Sequence, residues 1–383
     1  MRRAAVIVLD ACGVGALPDA ASYAGDEGSN TLAHLAERVG GLDLPALQGL
    51  GLGSIVPILG VPPAAEPVLH GRLAPLGPGK ESTTGHWELM GAVPAHALPT
   101  YPQGFPPEVI DTLERAAGRS FCCNRPFSGT EVLDAFGEHH LETGELILYT
   151  SADSVLQIAA HVDVLDEPGL YAACEAVRAV MDGEHRVGRV IARPFDGAPG
   201  EFHRREGRRD YAAPPPGRSY LEELQDASVP VHAVGKVRDL FAGVGIDVKH
   251  EATNNSKGIA ATTRLLGELD GGLIFVNLVD TDQVYGHRKD VEGFHTALRE
   301  IDTALTTWLD LLGPDDLLVL TADHGVDPDA PHTDHTREYA PLLAVFEGHG
   351  GRRHDGPLAD VGASALRWLT GRDAPDLPGD AFV

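Results

Sequence analysis

Carboxylates and imidazoles concentrate near the carboxyl end of the chain, in two short segments that could bind metal ions. The first segment contains Asp282 and His287, and the second contains Asp323 and His324, followed by His335. Oxygen and nitrogen ligands without a nearby cysteine suit manganese, zinc or iron(II) better than copper(I) or an iron–sulfur cluster. The two segments therefore indicate a site for a divalent Lewis acid.

Three apolar runs must position these acids and a further one near the N-terminus. The runs, residues 4–9, 273–279 and 317–320, are followed closely by Asp10, Asp282 and Asp323, respectively. Continuous apolar runs of this length are typical of parallel strands buried on both faces. Ligands of open parallel sheets gather at the carboxyl ends of the strands. The sequence therefore predicts that three strands bring carboxylates to one edge of a sheet.

Such a cluster of carboxylates requires cations. At about 4 Å and an effective dielectric constant near 20, each like-charged pair repels by roughly 4 kcal/mol. The candidate ligands are Asp10, Asp282, His287, Asp323, His324 and His335. They are too many for one tetrahedral site and suit two ions, an arrangement that clamps a phosphoryl group. The alternative is that these residues are unrelated surface acids and hydrogen-bonded core histidines. That alternative accounts well for any single residue but poorly for all six together.

Composition restricts the remaining possibilities. The chain has 383 residues, enough for two domains, and 43% of them are hydrophobic. A formal net charge of -26 argues against binding to nucleic acid or to anionic membranes. No apolar run reaches the roughly 20 residues of a membrane span, and the N-terminus shows no signal-peptide pattern, so we expect a cytoplasmic protein. The four cysteines show no Cys-x-x-Cys spacing and do not suggest a disulfide framework.

Two proline-rich stretches divide the chain. Residues 94–107 and 214–216 interrupt an alternation of apolar runs and amphipathic segments that resumes after residue 229. We expect a core domain formed by residues 1–96 and 217–383, with residues 97–216 inserted as a smaller α/β domain. In the core, an apolar stripe with spacings of three and four residues predicts a helix over residues 293–312.

A nucleophile is suggested by the segment from Gly79 to Gly91. Ser82, Thr83 and Thr84 are consecutive hydroxyl residues between glycines. A hydroxyl bound to a divalent ion loses its proton more readily and can attack phosphorus. Backbone N–H groups of a glycine-bounded turn can bind phosphate oxygens. On its own, such a cluster is more typical of a turn or a helix cap.

Several blocks of the sequence together resemble the prokaryotic phosphopentomutases of the alkaline phosphatase superfamily. The blocks are residues 8–15, 79–88, 149–154, 277–282, 285–288, 321–325 and 333–339. The resemblance implies an α/β fold, with a mainly parallel sheet flanked by helices and a smaller inserted α/β cap domain. It also implies a two-manganese site, with Asp10, Asp323 and His324 holding one ion and Asp282, His287 and His335 the other.

The resemblance assigns the phosphorylated residue to Ser82, with one departure from the family. The family has a threonine directly after Gly-Lys-Asp, whereas Ser82 follows Gly-Lys-Glu here. Thr83 and Thr84 remain alternative nucleophiles. A second departure is His332, in a loop where the family more often has a small residue; we interpret it as a surface imidazole, with a weak metal ligand as the alternative.

The resemblance also suggests which residues bind the substrate. Phosphate contacts are assigned to Arg189, Arg193, Arg204 and Lys236, and pentose contacts to Ser151 and Asp153. Purely structural roles for Ser151 and Asp153 are the alternative. The neighbouring Arg205, Arg208 and Arg209 are interleaved with acids, which favours a solvated position for them.

The function implied is that of a phosphopentomutase active in nucleoside catabolism. It would interconvert ribose 1-phosphate and ribose 5-phosphate, and the 2-deoxy equivalents, through a phosphoenzyme and a 1,5-bisphosphate. A primer such as glucose 1,6-bisphosphate would load the serine. We expect a monomer or small homo-oligomer. The alternatives are a related phosphatase or phosphomutase acting on another phosphosugar or phosphoglycerate, and a non-catalytic phosphosugar-binding regulator.

Overall fold

The computed structural model describes residues 2–129, 131–151, 154–348 and 350–383. It divides into two compact units, one made of Met1–Ala95 with Pro214–Val383 and the other of His96–Ala213. The sequence-based division placed the boundaries after residues 96 and 216. Each unit has its own sheet.

The first unit alternates strands and helices before and after the insertion. Before it come β1 (Arg3–Leu9), α1 (Thr31–Val39), α2 (Pro45–Leu50), α3 (Leu52–Ile55), β2 (Leu69–Ala74) and α4 (Ser82–Leu89). The inserted unit contains α5 (Pro107–Ala117), β3 (Phe121–Pro126), α6 (Glu131–Thr143), β4 (Leu146–Thr150), β5 (Val155–His161), α7 (Glu167–Val180), β6 (Arg189–Asp196), β7 (His203–Arg204) and β8 (Arg209–Ala212). After it come α8 (Tyr220–Asp226), β9 (Val231–Val234), α9 (Val237–Leu240), β10 (Val248–His250), α10 (Asn255–Glu268), β11 (Gly272–Leu278), α11 (Val291–Leu311), β12 (Asp316–Thr321), β13 (Ala340–Val345), β14 (Gly356–Pro357) and α12 (Asp360–Thr370).

The sheet of the first unit is mainly parallel, as predicted. In the described residues it has eight strands in the order β10-β9-β11-β1-β12-β13-β2-β14. The central strand β1 runs parallel to β11 and to β12, and every residue of these three strands is buried. Strand β13 is antiparallel to both of its neighbours. Because β1, β11 and β12 are parallel and adjacent, the segments that follow them emerge at the same edge.

Helix α11 buries the predicted apolar stripe. Phe294, Leu298, Ile301, Leu305 and Trp308 are all buried. The helix begins where the Asp290 side chain accepts a hydrogen bond from the Gly293 amide at 3.0 Å, an N-cap contact that satisfies an otherwise unpaired donor.

The inserted unit is a second α/β layer structure. Its described residues form a six-stranded sheet in which β3, β4, β5, β6 and β7 are successive neighbours and β8 pairs with β6. One core cluster joins α5 and α7 to the sheet, and a second joins α6 to it. Helices therefore lie on both faces, which is the arrangement that buries apolar strands on both sides.

Nowhere in the described chain is there a helix with the length and hydropathy needed to span a membrane.

Helix α11 also stabilises its neighbour α2 through a buried carboxylate. Asp302 accepts hydrogen bonds from the amides of Ala46 at 3.1 Å and Leu47 at 2.8 Å, in the first turn of α2. We expect Asp302→Ala to leave both amides unsatisfied and to lower the free energy of unfolding by roughly 1–3 kcal/mol. Denaturant unfolding would measure the loss. Asp310→Ala, at an exposed position of the same helix, should change stability little; equal effects of both variants would contradict the role of Asp302.

Candidate metal centre

Three buried aspartates meet at the carboxyl edge of the first unit's sheet. Asp10 directly follows β1, Asp282 lies in the turn after β11, and Asp323 follows β12; their exposed fractions are 0%, 4% and 5%. One oxygen of Asp10 accepts from the Asn277 amide group at 2.9 Å, and one of Asp323 accepts from the Ala11 backbone amide at 3.2 Å. The strands thus bring together the acids that the sequence placed at their ends.

Each of these carboxylates also has a buried oxygen that accepts no hydrogen bond from the described residues. These atoms are Asp10 Oδ1, Asp282 Oδ1 and Asp323 Oδ2. Buried charged oxygens without a partner are strongly unfavourable. Bound divalent cations would satisfy all three, so the residues present fit the metal ions that the sequence analysis predicted.

Histidines complete the cluster with their Nε2 atoms. His324 Nε2 lies 3.4 Å from both Asp10 Oδ1 and Asp323 Oδ2. The Nε2 atoms of His287 and His335 lie 3.4 and 3.3 Å from Asp282 Oδ1.

Backbone carbonyls orient two of these rings. His324 Nδ1 lies 3.0 Å from the Gly325 oxygen, and His287 Nδ1 lies 2.7 Å from the Thr333 oxygen. In the neutral ring, donation of the Nδ1 proton to a carbonyl leaves Nε2 unprotonated and available to a metal, the usual outer contact of a histidine ligand.

The potential ligand atoms of the first unit form two overlapping groups among the residues that the structure describes. Asp282, His287 and His335 make one, and Asp10, Asp282 and His324 make the other, with all atoms of a group within 4.8 Å of each other. The first matches the set that the family resemblance implies for one ion. In the second, Asp282 joins Asp10 and His324, while Asp323 remains 3.4 Å from His324 Nε2. All six predicted ligands therefore come together, with Asp282 between the groups.

The metal-free electrostatics reflect the excess of carboxylates. Burial opposes a charged imidazole at His324, but Asp323 and Asp10 outweigh it and raise the pKa of His324 to about 10. Contact with Asp282 raises the pKa of His287 to about 9. Burial, Asp323 and Asp282 together raise the pKa of Asp10. The carboxylates thus favour positive charge at this edge of the sheet, which bound cations would supply.

Ser82 lies at this cluster as the first residue of α4. Its hydroxyl oxygen is 2.9 Å from His324 Nε2. Thr84 is buried and directs its hydroxyl to the Glu81 carbonyl at 3.0 Å. Of the turn and the helix start that such a cluster suggests, the structure has the helix start, because the hydroxyl residues open α4. The backbone N–H groups of a helix N-terminus are nevertheless suited to an anion.

Gly85 is required for close approach rather than for a turn. A Cβ atom there would lie 2.4 Å from the Asp323 carbonyl oxygen. The next residue, His86, is fully buried, with Nδ1 2.8 Å from the Ser82 carbonyl oxygen and 3.2 Å from Asp323 Oδ2. Helix α4 therefore packs its first turn directly on a predicted metal ligand.

A buried carboxylate outside the predicted set fixes the segment before α4. Asp26 accepts from Lys80 Nζ at 3.1 Å and from the Arg337 amide at 2.8 Å. It also lies 2.9 Å from His332 Nε2. His332, interpreted from the sequence as a surface imidazole, is half-buried and paired with Asp26. Among the described residues, no group of potential metal ligands includes His332.

A second such carboxylate, Glu338, joins three segments around the cluster. It accepts from the amide and hydroxyl of Thr31 at 2.9 and 2.7 Å and from the Thr336 hydroxyl at 2.7 Å. It also accepts from the Gly15 amide at 3.1 Å. Sequence reasoning missed Glu338 and Asp26; Glu338 lies within the block of residues 333–339, whereas Asp26 lies outside every such block and gave no signal.

The candidate substrate residues fall in both units. Lys236 is half-buried before α9 in the first unit. In the inserted unit, Arg189 and Arg193 lie on β6, Arg204 lies on β7 and Ser151 follows β4. Asp153 lies outside the described residues. Their roles stay predictions.

Side-chain partners distinguish the arginines of the inserted unit. Arg193 Nε donates to Gln157 at 3.1 Å, and Arg204 lies 3.5 Å from the Tyr149 hydroxyl. The exposed Arg205 and Arg208 pair with acids, Arg205 with Asp196 and Glu167 and Arg208 with Asp210, in keeping with the solvated position predicted for them.

Comparison with known proteins agrees with this fold and cluster. A family model described as the metalloenzyme superfamily matches residues 2–370. Phosphoglycerate mutase from Leishmania mexicana has a similar fold, with a TM-score of 0.50 and 13% sequence identity over 99% of this chain and 97% of that one. The fold is thus that of an alkaline-phosphatase-like metalloenzyme.

Proteins of similar sequence identify the family within this superfamily to which the chain belongs. A phosphopentomutase from Dictyoglomus turgidum is 51% identical over 90% of this chain and 87% of its own length. One from Anaeromyxobacter sp. strain K is 50% identical over 96% of this chain and 95% of its own length. The chain belongs to the phosphopentomutase family, which confirms the resemblance found in the sequence.

The position of Asp282 between the two ligand groups gives a test of metal binding. After saturation with Mn²⁺ and dialysis, we expect Asp282→Asn to lose most of its bound metal, because the variant removes a ligand from both groups. His287→Ala should lose roughly one ion, since it belongs to one group. Elemental analysis measures both. Asp334→Asn, beside His335 but outside the groups, should keep the wild-type content; equal retention by Asp282→Asn would refute the arrangement.

The contact of Gly85 with Asp323 gives a second test. Gly85→Ala must push α4 away from Asp323, and a displacement of about 1 Å at a reacting group can lower turnover roughly 100-fold. We expect that loss of mutase turnover with the fold retained. Gly267→Ala, in α10, adds a methyl group with no atom within 4 Å and should leave turnover unchanged. Wild-type turnover in Gly85→Ala would show that this close approach is dispensable.

Proposed function

We propose that this chain interconverts ribose 1-phosphate and ribose 5-phosphate, and the 2-deoxyribose equivalents, with Ser82 as the phosphorylated residue. The observation that carries the proposal is the 2.9 Å distance between the Ser82 hydroxyl and His324 Nε2 within the acid-rich cluster. Membership of the phosphopentomutase family supports the reaction type.

Two divalent cations, for which we propose Mn²⁺, would be held by the six clustered residues. Asp10, Asp323 and His324 are proposed for one ion and Asp282, His287 and His335 for the other, and Asp282 also lies close enough to Asp10 and His324 to contribute to the first ion. When bound, the cations would act as Lewis acids that lower the pKa of the serine hydroxyl and neutralise phosphate oxygens. The unsatisfied oxygens of the three aspartates support this assignment.

The proposed reaction is a pair of phosphoryl transfers. The phosphate on Ser82 passes to the free hydroxyl of a pentose monophosphate, so the serine Oγ–P bond breaks as a sugar O–P bond forms. The resulting 1,5-bisphosphate then returns its other phosphate to Ser82. The serine ends as it began, and the sugar is isomerised. Before the first cycle, a bisphosphate primer such as glucose 1,6-bisphosphate loads the serine.

Residues of the chain have distinct parts in this scheme. The N–H groups at the start of α4 lie at the positive end of the helix dipole and are proposed to bind phosphate oxygens. His86 Nδ1 contacts both the Ser82 carbonyl oxygen and the Asp323 carboxylate, and so links the start of α4 to Asp323. Arg189, Arg193, Arg204 and Lys236 are proposed to bind the second phosphate, because charged donors bond strongly to phosphate. Ser151 and Asp153 are proposed to bind the pentose hydroxyls.

The main competitor is hydrolysis of the phosphoenzyme. A phosphatase would share the metal ligands and the serine but release inorganic phosphate. Parallel assays of phosphate release and of ribose 1-phosphate conversion distinguish the two activities. Binding of pentose phosphate by manganese-loaded, primed protein without either activity would instead identify a non-catalytic regulator.

The nucleophile can be tested by substitution. We expect Ser82→Ala to lower mutase turnover by at least about 1,000-fold, because the variant lacks the hydroxyl proposed to form the covalent intermediate, while metal content stays at the wild-type level. Ser82→Thr should restore activity, and Thr83→Ala should retain it. After incubation with glucose 1,6-bisphosphate, mass spectrometry should find phosphate on Ser82 within a peptide covering residues 80–91. Phosphate on Thr83 or Thr84 would reassign the nucleophile.

A further inference from the structure

The inserted unit contains a cluster of potential metal ligands that shares no residue with the site described above. Cys122 Sγ, a His139 ring nitrogen and a Glu145 carboxylate oxygen all lie within 4.8 Å of one another. His139 Nε2 and Glu145 Oε2 are 2.7 Å apart. Cys122 lies on β3, His139 on the last turns of α6 and Glu145 directly before β4.

The end of α6 brings Glu145 back over His139. Gly144 has a positive φ of 75°, a conformation that glycine adopts without strain, and turns the chain after the helix. The Glu145 amide donates to the Thr143 hydroxyl at 3.2 Å, and His140 Nδ1 lies 2.5 Å from the Glu145 carbonyl oxygen. The backbone that carries the carboxylate is therefore fixed by contacts on both of its polar groups.

Strand pairing fixes the third ligand. Cys122 is in parallel register with Ile147, and its thiol lies 3.6 Å from the Leu146 carbonyl oxygen. The thiol thus reaches the residue that follows Glu145. The ligands come from three consecutive elements of the inserted unit, and each is held by the local fold.

We propose that Cys122, His139 and Glu145 bind a Zn²⁺ ion, or a divalent cation of similar preference. Thiolate, imidazole and carboxylate are the side chains that bind zinc. At Zn–S and Zn–N distances of about 2.3 and 2.0 Å, a tetrahedral ion separates sulfur from nitrogen by roughly 3.5 Å, within the span of the cluster.

The exposure of the cluster suits a reversible site. The side chains of His139 and Glu145 are 47% and 36% exposed, so they can adjust by a few tenths of an ångström and leave a fourth position to water. The site lies at the C-terminal end of α6, where the helix dipole favours a cation. Its effect would be to tie β3, which pairs only with β4 among the described strands, to the end of α6.

The alternative is an ordinary surface ion pair between His139 and Glu145 beside an inert thiol. Burial and the Glu145 carboxylate raise the pKa of Cys122 to about 12, so a metal must displace the thiol proton. We therefore expect weaker binding than at closed structural zinc sites, whose ligands are fully enclosed.

Cobalt absorption distinguishes the two possibilities. The full-length protein is first saturated with Mn²⁺ and then titrated with Co²⁺, whose bond to a thiolate gives a near-ultraviolet charge-transfer band. We expect this band in the wild type and its removal by added Zn²⁺. It should be absent in Cys122→Ser and present in Cys123→Ser, a matched variant of the adjacent cysteine. His139→Gln and Glu145→Gln should weaken cobalt binding at least about tenfold.

Three outcomes would overturn the proposal. They are no band in the wild type, a band that survives Cys122→Ser, and cobalt binding unaffected by both His139→Gln and Glu145→Gln. A band that survives Cys122→Ser would assign the thiolate to another cysteine, such as the buried Cys12 beside Asp10. Far-ultraviolet circular dichroism checks that each variant is folded. If Cys122→Ser does not fold, the cobalt affinities of His139→Gln and Glu145→Gln test the proposal instead.

Discussion

The repulsion among three buried carboxylates is the constraint on which the first unit depends. Parallel pairing of β1 with β11 and β12 places Asp10, Asp282 and Asp323 at one edge, with an unsatisfied oxygen on each. Carboxylates so placed cannot all remain charged without nearby cations. The carboxylates accordingly raise the pKa values of His324 and His287. The same atoms that make the edge electrostatically unfavourable make it a ligand set for divalent ions.

Around this edge, buried acids of another kind hold the loops without facing a metal. Glu338 and Asp26 have their oxygens occupied by hydroxyl, amide and ammonium donors. Fully satisfied polar networks fix a single arrangement of the segments that they join. Carboxylates whose oxygens all accept hydrogen bonds therefore fix the positions of the loops. Carboxylates with an unpaired oxygen are instead available to bind cations.

Sequence patterns predicted most of the core because its elements are long and periodic. The runs at 273–279 and 317–320 became Gly272–Leu278 and Asp316–Thr321, and the apolar stripe at 293–312 became Val291–Leu311. The strands of the inserted unit were harder to predict from the sequence, since β3 is only partly buried and its residues do not alternate between buried and exposed. Helix α4 was missed because three hydroxyl residues and a glycine are typical of turns. Only the tertiary contact of Gly85 with Asp323 explains why a helix there needs a residue without a side chain.

The helix at Ser82 also explains why a serine can occupy the family's threonine position. The hydroxyl is set by its place at the start of α4, where the backbone fixes Cα and Cβ and the His324 ring lies 2.9 Å from Oγ. A threonine methyl group restricts χ1, whereas serine samples more rotamers and relies on its partners to choose one. Because the cluster provides that partner, the position of the hydroxyl does not depend on the β-branch. What α4 requires instead is the close approach of Gly85 to the Asp323 backbone, which keeps Ser82 beside the predicted metal ligand His324.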